Sequence, residues 1–273
     1  DVNEIERRIG DFFGLKAICY YSNKQIIPAF SKTKKSESTL MREFWVRSAY
    51  THFESLKNPN MYDRKKLVDL IGKIRPYTLN LAEGLKTVTQ ALYNIGVTVL
   101  YQPHLPTTHV RGATFVINGQ PCIALTDLNK NYATIWFALL HELHHVLYDY
   151  DEIKNNVFHL TGEVDLFLLQ EHKADEFSRN YFLPADRAKF IYKYIDNQLI
   201  VGNFAQENQV HPSLIYNFYC WDMDATGKGN YWAKYKHHQP DIKLALKDIN
   251  VDPFDKKSID HTVQYLKEHI FNI

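Results

Sequence analysis

One short stretch of the chain, residues 141–145, reads HELHH and contains the pattern H-E-x-x-H. If the stretch is helical, His141 and His145 lie on one face, about 6 Å apart at their Cβ atoms, and can bind one ion. Glu142 lies beside them and can take a proton from a metal-bound water. A zinc ion would lower the pKa of that water towards about 7. The pattern therefore predicts a zinc site that activates water.

The alternative interpretation is a histidine-rich surface helix, since the chain contains 13 histidines. The residues just before the pattern, 135–140, read IWFALL and are strongly apolar, which predicts a buried helix from about residue 132. Two unpaired histidines and a glutamate would be costly to bury together. We therefore favour the metal-site interpretation and expect Glu142 to act as the catalytic base.

Catalytic zinc usually has three protein ligands and one water, so a third ligand is needed. Asp151 stands where a metzincin-like pattern has its last ligand, but that pattern needs a glycine where this chain has Tyr148. We therefore discount Asp151. We expect Asp149 and Asp151 to face solvent beyond the end of the helix.

A second predicted helix, residues 164–182, offers a better candidate for the third ligand. Glu171 and Asp175 are one turn apart and share a face with Ala174, whose small side chain allows the two helices to approach closely. Glu171 could reach the metal, and Asp175 could accept the other ring N–H of a zinc-binding histidine. On spacing alone, three neighbours compete for the role of Glu171: Glu163, His172 and Glu176.

Four stretches of the chain resemble, in order, blocks of the ImmA/IrrE family of metallo-endopeptidases. The blocks are HLPTTHVRGATFVINGQPCIALT (104–126), IWFALLHELHHVL (135–147), EHKADEFSRNYFLP (171–184) and FAQENQVHPSLI (204–215). They are most similar to the branch fused to HigA-type antitoxins and related helix-turn-helix regulators, over roughly residues 40–220. The resemblance implies that His141, His145 and Glu171 bind Zn²⁺ and that Glu142 is the base.

Three departures from the family pattern stand out. His144 replaces the usual glycine before the second zinc histidine, so we expect it to crowd the site or to reach into the cleft, and not to bind metal. Ser178 replaces a usual alanine. Residues 1–38 are too short for the family's helix-turn-helix and lack its pattern, so we expect either a fragment or a separate DNA-binding protein.

The surrounding pattern predicts an α+β fold with a zincin-like metallopeptidase domain, in which a small antiparallel sheet packs on the H-E-x-x-H helix. Helical periodicity predicts helices over 2–13, 39–57, within 64–78 and over 79–94, whereas 97–103, 111–119 and 121–127 read as strands. We divide the chain into an N-terminal helix and linker (1–38), a helical region (39–95), the metallopeptidase domain (96–222) and a helical C-terminal extension (223–273).

Several smaller expectations concern the surroundings of the metal. The hairpin of 111–117 and 121–126 is a candidate strand for holding a peptide by β-augmentation. Tyr148, Tyr181 and His211 are candidate oxyanion stabilisers, although His211, just before Pro212 at a helix start, is better interpreted as a cap or packing residue. The aromatic stretch 216–222 is expected to pack against the zinc domain.

Composition restricts the function further. The chain has a net charge of +1, which argues against direct nucleic-acid binding, and it has no apolar run of about 18 residues that could span a membrane. Its three cysteines are widely spaced, which favours reduced thiols in the cytoplasm. We expect a zinc endopeptidase that cleaves a DNA-binding repressor or antitoxin, with a toxin as a further candidate partner. The alternative is a non-catalytic zinc-binding sensor or docking domain of a toxin–antitoxin or transcriptional regulator.

Overall fold

The fold is α+β, with a small sheet among many helices. The computed structural model describes residues 3, 7, 37–105, 108, 110–127, 130–155, 159–161, 168–227, 231–252 and 259–272. The predicted helix over 2–13 and the predicted linker over 15–38 lie almost entirely outside the described residues. The α-helices are α1 Glu37–Leu56, α2 Arg64–Ile71, α3 Gly84–Tyr93, α4 Tyr132–Tyr148, α5 Tyr150–Asn155, α6 Leu168–Phe182, α7 Ala185–Ile191, α8 Gln198–Glu207, α9 Pro212–Asp224, α10 Tyr231–Tyr235, α11 Ile242–Leu246 and α12 Ile259–Tyr265.

Four strands form one sheet in the order β1-β3-β2-β4: β1 Thr98–Gln102, β2 Gly112–Ile117, β3 Gln120–Thr126 and β4 His159–Thr161. The predicted hairpin is confirmed, because β2 and β3 pair antiparallel across a turn in which Asn118 and Gly119 both have positive φ angles, 52° and 80°. The prediction of an antiparallel sheet is wrong for β1, which runs parallel to β3. Strand β2 follows β1 in the sequence, but β3 lies between these two strands in the sheet. Hydrophobic alternation along a strand does not encode that order.

The sequence signal over 64–78 predicts one helix, but the chain forms two short elements there. Helix α2 ends at Ile71, is followed by Gly72, and gives way to a 3-10 turn over Arg75–Leu79 that has Pro76 in its first turn. Proline cannot continue an α-helix from within, because it lacks the N–H and its ring clashes with the preceding turn. The predicted helix over 79–94 correspondingly begins only at Gly84.

Buried apolar side chains from Trp45 to Phe271 form one contiguous cluster. Helix α4 lies at its centre and packs against β2, β3, α6 and α9. Near the C-terminus, Phe271 stacks on Tyr93 of α3 with ring centroids 3.9 Å apart, so the predicted C-terminal extension shares the core of the helical region. The boundaries of the four predicted segments stay a prediction.

Two further expectations concern the aromatic stretch and the membrane. Phe218 and Trp221 of α9 contact Phe137 of α4, with ring centroids 6.1 Å and 5.0 Å apart, so the stretch packs against the helix that carries the H-E-x-x-H pattern, as expected. Among the described residues, no helix combines the length and the apolar character needed to cross a membrane.

Candidate metal centre

Helix α4 carries the H-E-x-x-H residues through the core. Every residue from Tyr132 to Leu147 is buried, which contradicts the alternative of a surface helix. Asn131 caps the start of the helix, because its side chain accepts a hydrogen bond from the Thr134 N–H. At its other end, Arg64 donates to the Leu147 carbonyl at 3.2 Å, where a positive charge also complements the helix dipole.

The three predicted ligands converge on one point. The Nε2 atoms of His141 and His145 are 3.1 Å apart, and the Glu171 carboxylate oxygens lie 3.4 Å and 3.2 Å from them, respectively. In tetrahedral zinc sites, bonds of about 2.0–2.1 Å put neighbouring ligand atoms about 3.3–3.4 Å apart. The two histidine nitrogens are therefore spaced close to two corners of a zinc tetrahedron, and the Glu171 carboxylate faces both of them, with a different oxygen nearest to each.

Helix α6 brings Glu171 to the histidines because the small residues on the same face let it pack closely on α4. Ala174 and Ser178 are fully buried where the two helices pack, whereas the competing residues His172 and Glu176 are exposed. The remaining competitor, Glu163, lies outside the described residues. The shared face that the sequence predicts for α6 is confirmed.

Both histidine rings are held by carboxylates on their far nitrogens. The Nδ1 atom of His141 is 2.8 Å from Asp175, as the spacing predicts, and that of His145 is 2.7 Å from Asp149. A carboxylate only accepts hydrogen bonds, so each Nδ1 carries a proton and each Nε2 is directed at the common point. When the ring gives up its second proton, Nε2 has the lone pair that can bind a metal ion.

The expectation that Asp149 faces solvent is wrong. Its side chain is only 11% exposed, because it lies one helical turn beyond His145 and stays on the ligand face as α4 ends. The i,i+4 spacing that relates the two candidate ligands His141 and His145 also relates His145 to Asp149 and could have identified this pair. Asp151, in the first turn of α5, is exposed and belongs to no group of candidate ligands among the described residues.

The charges around the histidines favour a cation. Burial acts to lower the pKa of His141, but hydrogen bonds to Asp175 and Glu171 outweigh it and raise the pKa to about 9. For His145, burial is likewise outweighed by Asp149 and Glu171, and the pKa is raised to about 9. The carboxylates thus create a negative potential at the ligand atoms, which a divalent metal ion can neutralise in place of protons.

The predicted base, Glu142, is fully buried on the side of α4 that faces β2. One of its carboxylate oxygens accepts a 2.5 Å hydrogen bond from the Thr114 hydroxyl. Gly112, two residues before Thr114 on β2, also lies close to the Glu142 side chain. Neither neighbour was anticipated from the sequence, in which Glu142 is far from both.

His144 points away from the ligand triangle. Its ring packs on Tyr148 and Phe177, with centroids 4.6 Å and 5.4 Å apart, and lines a groove of about 650 Å³ between α4 and α6. Burial and the neighbouring His145 lower the pKa of His144 to about 4. His144, His145 and Asp149 are also close enough to form a second candidate ligand group. We favour the first group, because Asp149 holds His145 through Nδ1 and leaves Nε2 directed at His141 and Glu171.

Two of the three candidate oxyanion stabilisers have structural roles. The Tyr181 hydroxyl donates to the Ile71 carbonyl at 2.6 Å and accepts from the Arg75 N–H at 2.9 Å. His211 caps α9, which confirms its interpretation as a cap. Tyr148 is 61% exposed and lies along the groove.

The hairpin cannot hold a peptide where it passes the site. Over Gly112–Thr114, β2 is already paired with β3 on one edge and with β4 on the other, and β3 lies between β1 and β2. Within the described residues, the edge of the sheet on this side is therefore β4.

A scan against models of known protein families finds no match for this chain, and a search of curated proteins finds no significant match. The resemblance to the ImmA/IrrE family rests on the sequence motifs and stays a prediction.

Proposed function

We propose that the protein is a zinc-dependent endopeptidase with a zincin-like fold, related to the ImmA/IrrE family. The observation that carries the proposal is the triangle formed by the side chains of His141, His145 and Glu171. The two Nε2 atoms are 3.1 Å apart, Glu171 Oε1 is 3.2 Å from that of His145, and Glu171 Oε2 is 3.4 Å from that of His141. Glu142, the neighbour of the first ligand, supports hydrolysis over a purely structural site, because a structural zinc site needs no base.

Zinc bound at this triangle would polarise a scissile carbonyl and lower the pKa of a bound water to about 7. The chain supplies the rest. Glu142 accepts the proton of the attacking water and delivers it to the leaving amine. Asp149 and Asp175 hold the histidine rings in the tautomer that leaves Nε2 free to bind.

The substrate proposal rests on the resemblance. It indicates a protein regulator, either a DNA-binding repressor or an antitoxin, cleaved at one or a few sites. We propose a cytoplasmic location, which is supported by Cys122 and Cys220, both buried and free of disulfides, since unpaired thiols are usual in reducing compartments.

Metal analysis and one substitution test the proposal together. We expect the chain purified without chelator to hold about one zinc ion, and Glu171→Ala to lose it while Glu176→Ala, on the exposed side of the same helix, keeps it. Wild type and Glu142→Gln are then incubated with a peptide library made from a proteome, and new termini are identified by mass spectrometry. Only wild type should produce them.

The outcomes separate the alternatives. A wild-type chain without metal would refute the site. If wild type binds zinc but produces no new termini beyond those seen with Glu142→Gln, the chain is a non-catalytic sensor or docking module instead of an enzyme.

A further inference from the structure

Strand β2 presents two successive residues of one face to Glu142. Side chains alternate along a strand, so Gly112 and Thr114 point to the same side, and helix α4 packs on that side. The Thr114 hydroxyl, which is fully buried, donates a hydrogen bond to Glu142 Oε2 at 2.5 Å. Hydrogen bonds to a carboxylate are shorter and stronger than those between neutral groups.

Gly112 provides the space that the carboxylate occupies. A Cβ atom added at Gly112 would lie 2.5 Å from Glu142 Oε1 and 2.9 Å from its carboxyl carbon. The φ angle of this glycine is not positive, so the backbone would accept alanine. Glycine is needed here for the close approach of the Glu142 side chain, and not for an unusual backbone conformation.

We infer that Thr114 and Gly112 are positioning residues for the catalytic carboxylate, an inference that rests on the proposed function. Thr114 holds one oxygen of Glu142, and Gly112 leaves the space in which the other oxygen lies. The carboxylate is thereby fixed in one orientation before substrate binds. A base fixed in place transfers a proton faster than one that samples several rotamers, and a misplacement of about 1 Å can cost a hundredfold in rate.

Substitutions at Thr114 test whether the hydroxyl is what matters. Thr114→Val keeps the shape and removes the donor, whereas Thr114→Ser keeps the donor. Using the library peptide that wild type cleaves fastest, we expect Thr114→Val to lower kcat on the order of tenfold to a hundredfold, with KM and zinc content unchanged. Thr114→Ser should recover most of the rate. Equal kcat in Thr114→Val and wild type, or equal losses in both variants, would overturn the inference.

Gly112→Ala tests the second half, with Gly202→Ala as the matched control. A Cβ atom at Gly202, in helix α8, would meet nothing within 4 Å, so this variant should keep the wild-type kcat. Gly112→Ala should lower kcat while retaining zinc, because the three atoms nearest to the added methyl group all belong to the Glu142 side chain, which it displaces. An unchanged kcat in Gly112→Ala would contradict the role assigned to Gly112.

A measurement without turnover separates this inference from the proposed function. In a double-mutant cycle of Thr114→Val, which removes the donor, and Glu142→Ala, which removes the acceptor, we expect the two changes to be coupled by about tenfold in the unfolding equilibrium constant. Absence of coupling would refute the contact, whatever the chain's activity. If the coupling is present but wild type cleaves no library peptide, the proposed function fails and the catalytic role of Thr114 fails with it. If wild type cleaves peptides and Thr114→Val does so equally well, the positioning inference fails alone.

Discussion

Two carboxylates orient the two histidines of the candidate metal centre, and they differ in their exposure to water. Asp175, beside His141, is 52% exposed, whereas Asp149, beside His145, is 11% exposed. A hydrogen bond shielded from water is electrostatically stronger. Asp149 should therefore contribute more than Asp175 to the affinity for zinc.

Replacing Asp149 with alanine should weaken zinc binding without removing a ligand. Loss of a carboxylate behind a metal-binding histidine typically costs tenfold to a hundredfold in metal affinity, because the ring loses its fixed tautomer and orientation. Asp151→Ala is the matched control, since Asp151 is nearby and exposed. Competition with a chromophoric chelator measures both affinities. Equal affinities in the two variants would contradict the role of Asp149.

At the residue scale, spacing along one helix predicts that His141 and His145 lie together, and the structure brings them together. The same spacing relates His145 to Asp149, whose side chain stays on that face although the residue follows the last residue of α4. The bond from Thr114 to Glu142 joins residues 28 positions apart. It depends on how β2 packs on α4, which no local pattern encodes.

At the scale of single elements, α9 provides a titratable cap. His211 precedes the helix, and its Nδ1 accepts from the Ser213 N–H at 3.2 Å. Only the neutral ring can accept, because a protonated imidazole has no lone pair. Burial lowers the pKa of His211 to about 4.

The stability of the fold should therefore depend on pH through His211. Its folded pKa, about 4, lies below its unfolded value of about 6.5, so the unfolded state binds more protons between these values. The free energy of unfolding should fall as the pH is lowered from about 6.5 to about 4, by about 1–2 kcal/mol after allowance for partial exposure of the ring. His211→Asn keeps a capping side chain but has no group that titrates in this range, so this fall in the free energy of unfolding should be absent. Urea unfolding of both proteins across this pH range measures the difference. Parallel curves for the two proteins would contradict it.

The helices and strands themselves were predicted unevenly. Long periodic segments such as α4, and the hairpin with its Asn118-Gly119 turn, could be identified from the sequence because their signals are local. The break after Ile71 and the parallel pairing of β1 with β3 could not. The break depends on Gly72 and Pro76, which interrupt a stretch whose hydrophobic periodicity still predicts a helix. The parallel pairing depends on long-range packing.

At the scale of the whole molecule, the metal centre joins parts of the chain that only folding brings together. His141 and His145 lie in α4, whereas Glu171 lies in α6, beyond β4. Two arginines in and just after α2 contact the C-terminal ends of both helices. Arg64 donates to the Leu147 carbonyl of α4, and Arg75 donates to the Tyr181 carbonyl of α6. The geometry of the ligands is therefore a property of the native state.

Zinc should consequently stabilise the fold. A ligand that binds only the native state at a hundred times its Kd adds about 2.7 kcal/mol to the free energy of unfolding, which for a chain of this size corresponds to a rise in Tm of about 5–10 °C. Calorimetry of chelator-treated protein, with and without added zinc, measures the shift. The zinc-induced rise in Tm should be small in Glu171→Ala and as large as in wild type in Glu176→Ala. Magnesium should have no effect, because it prefers oxygen ligands over imidazole. A Tm that does not respond to zinc, or that responds equally in Glu171→Ala, would show that the three side chains do not bind the ion in the native state.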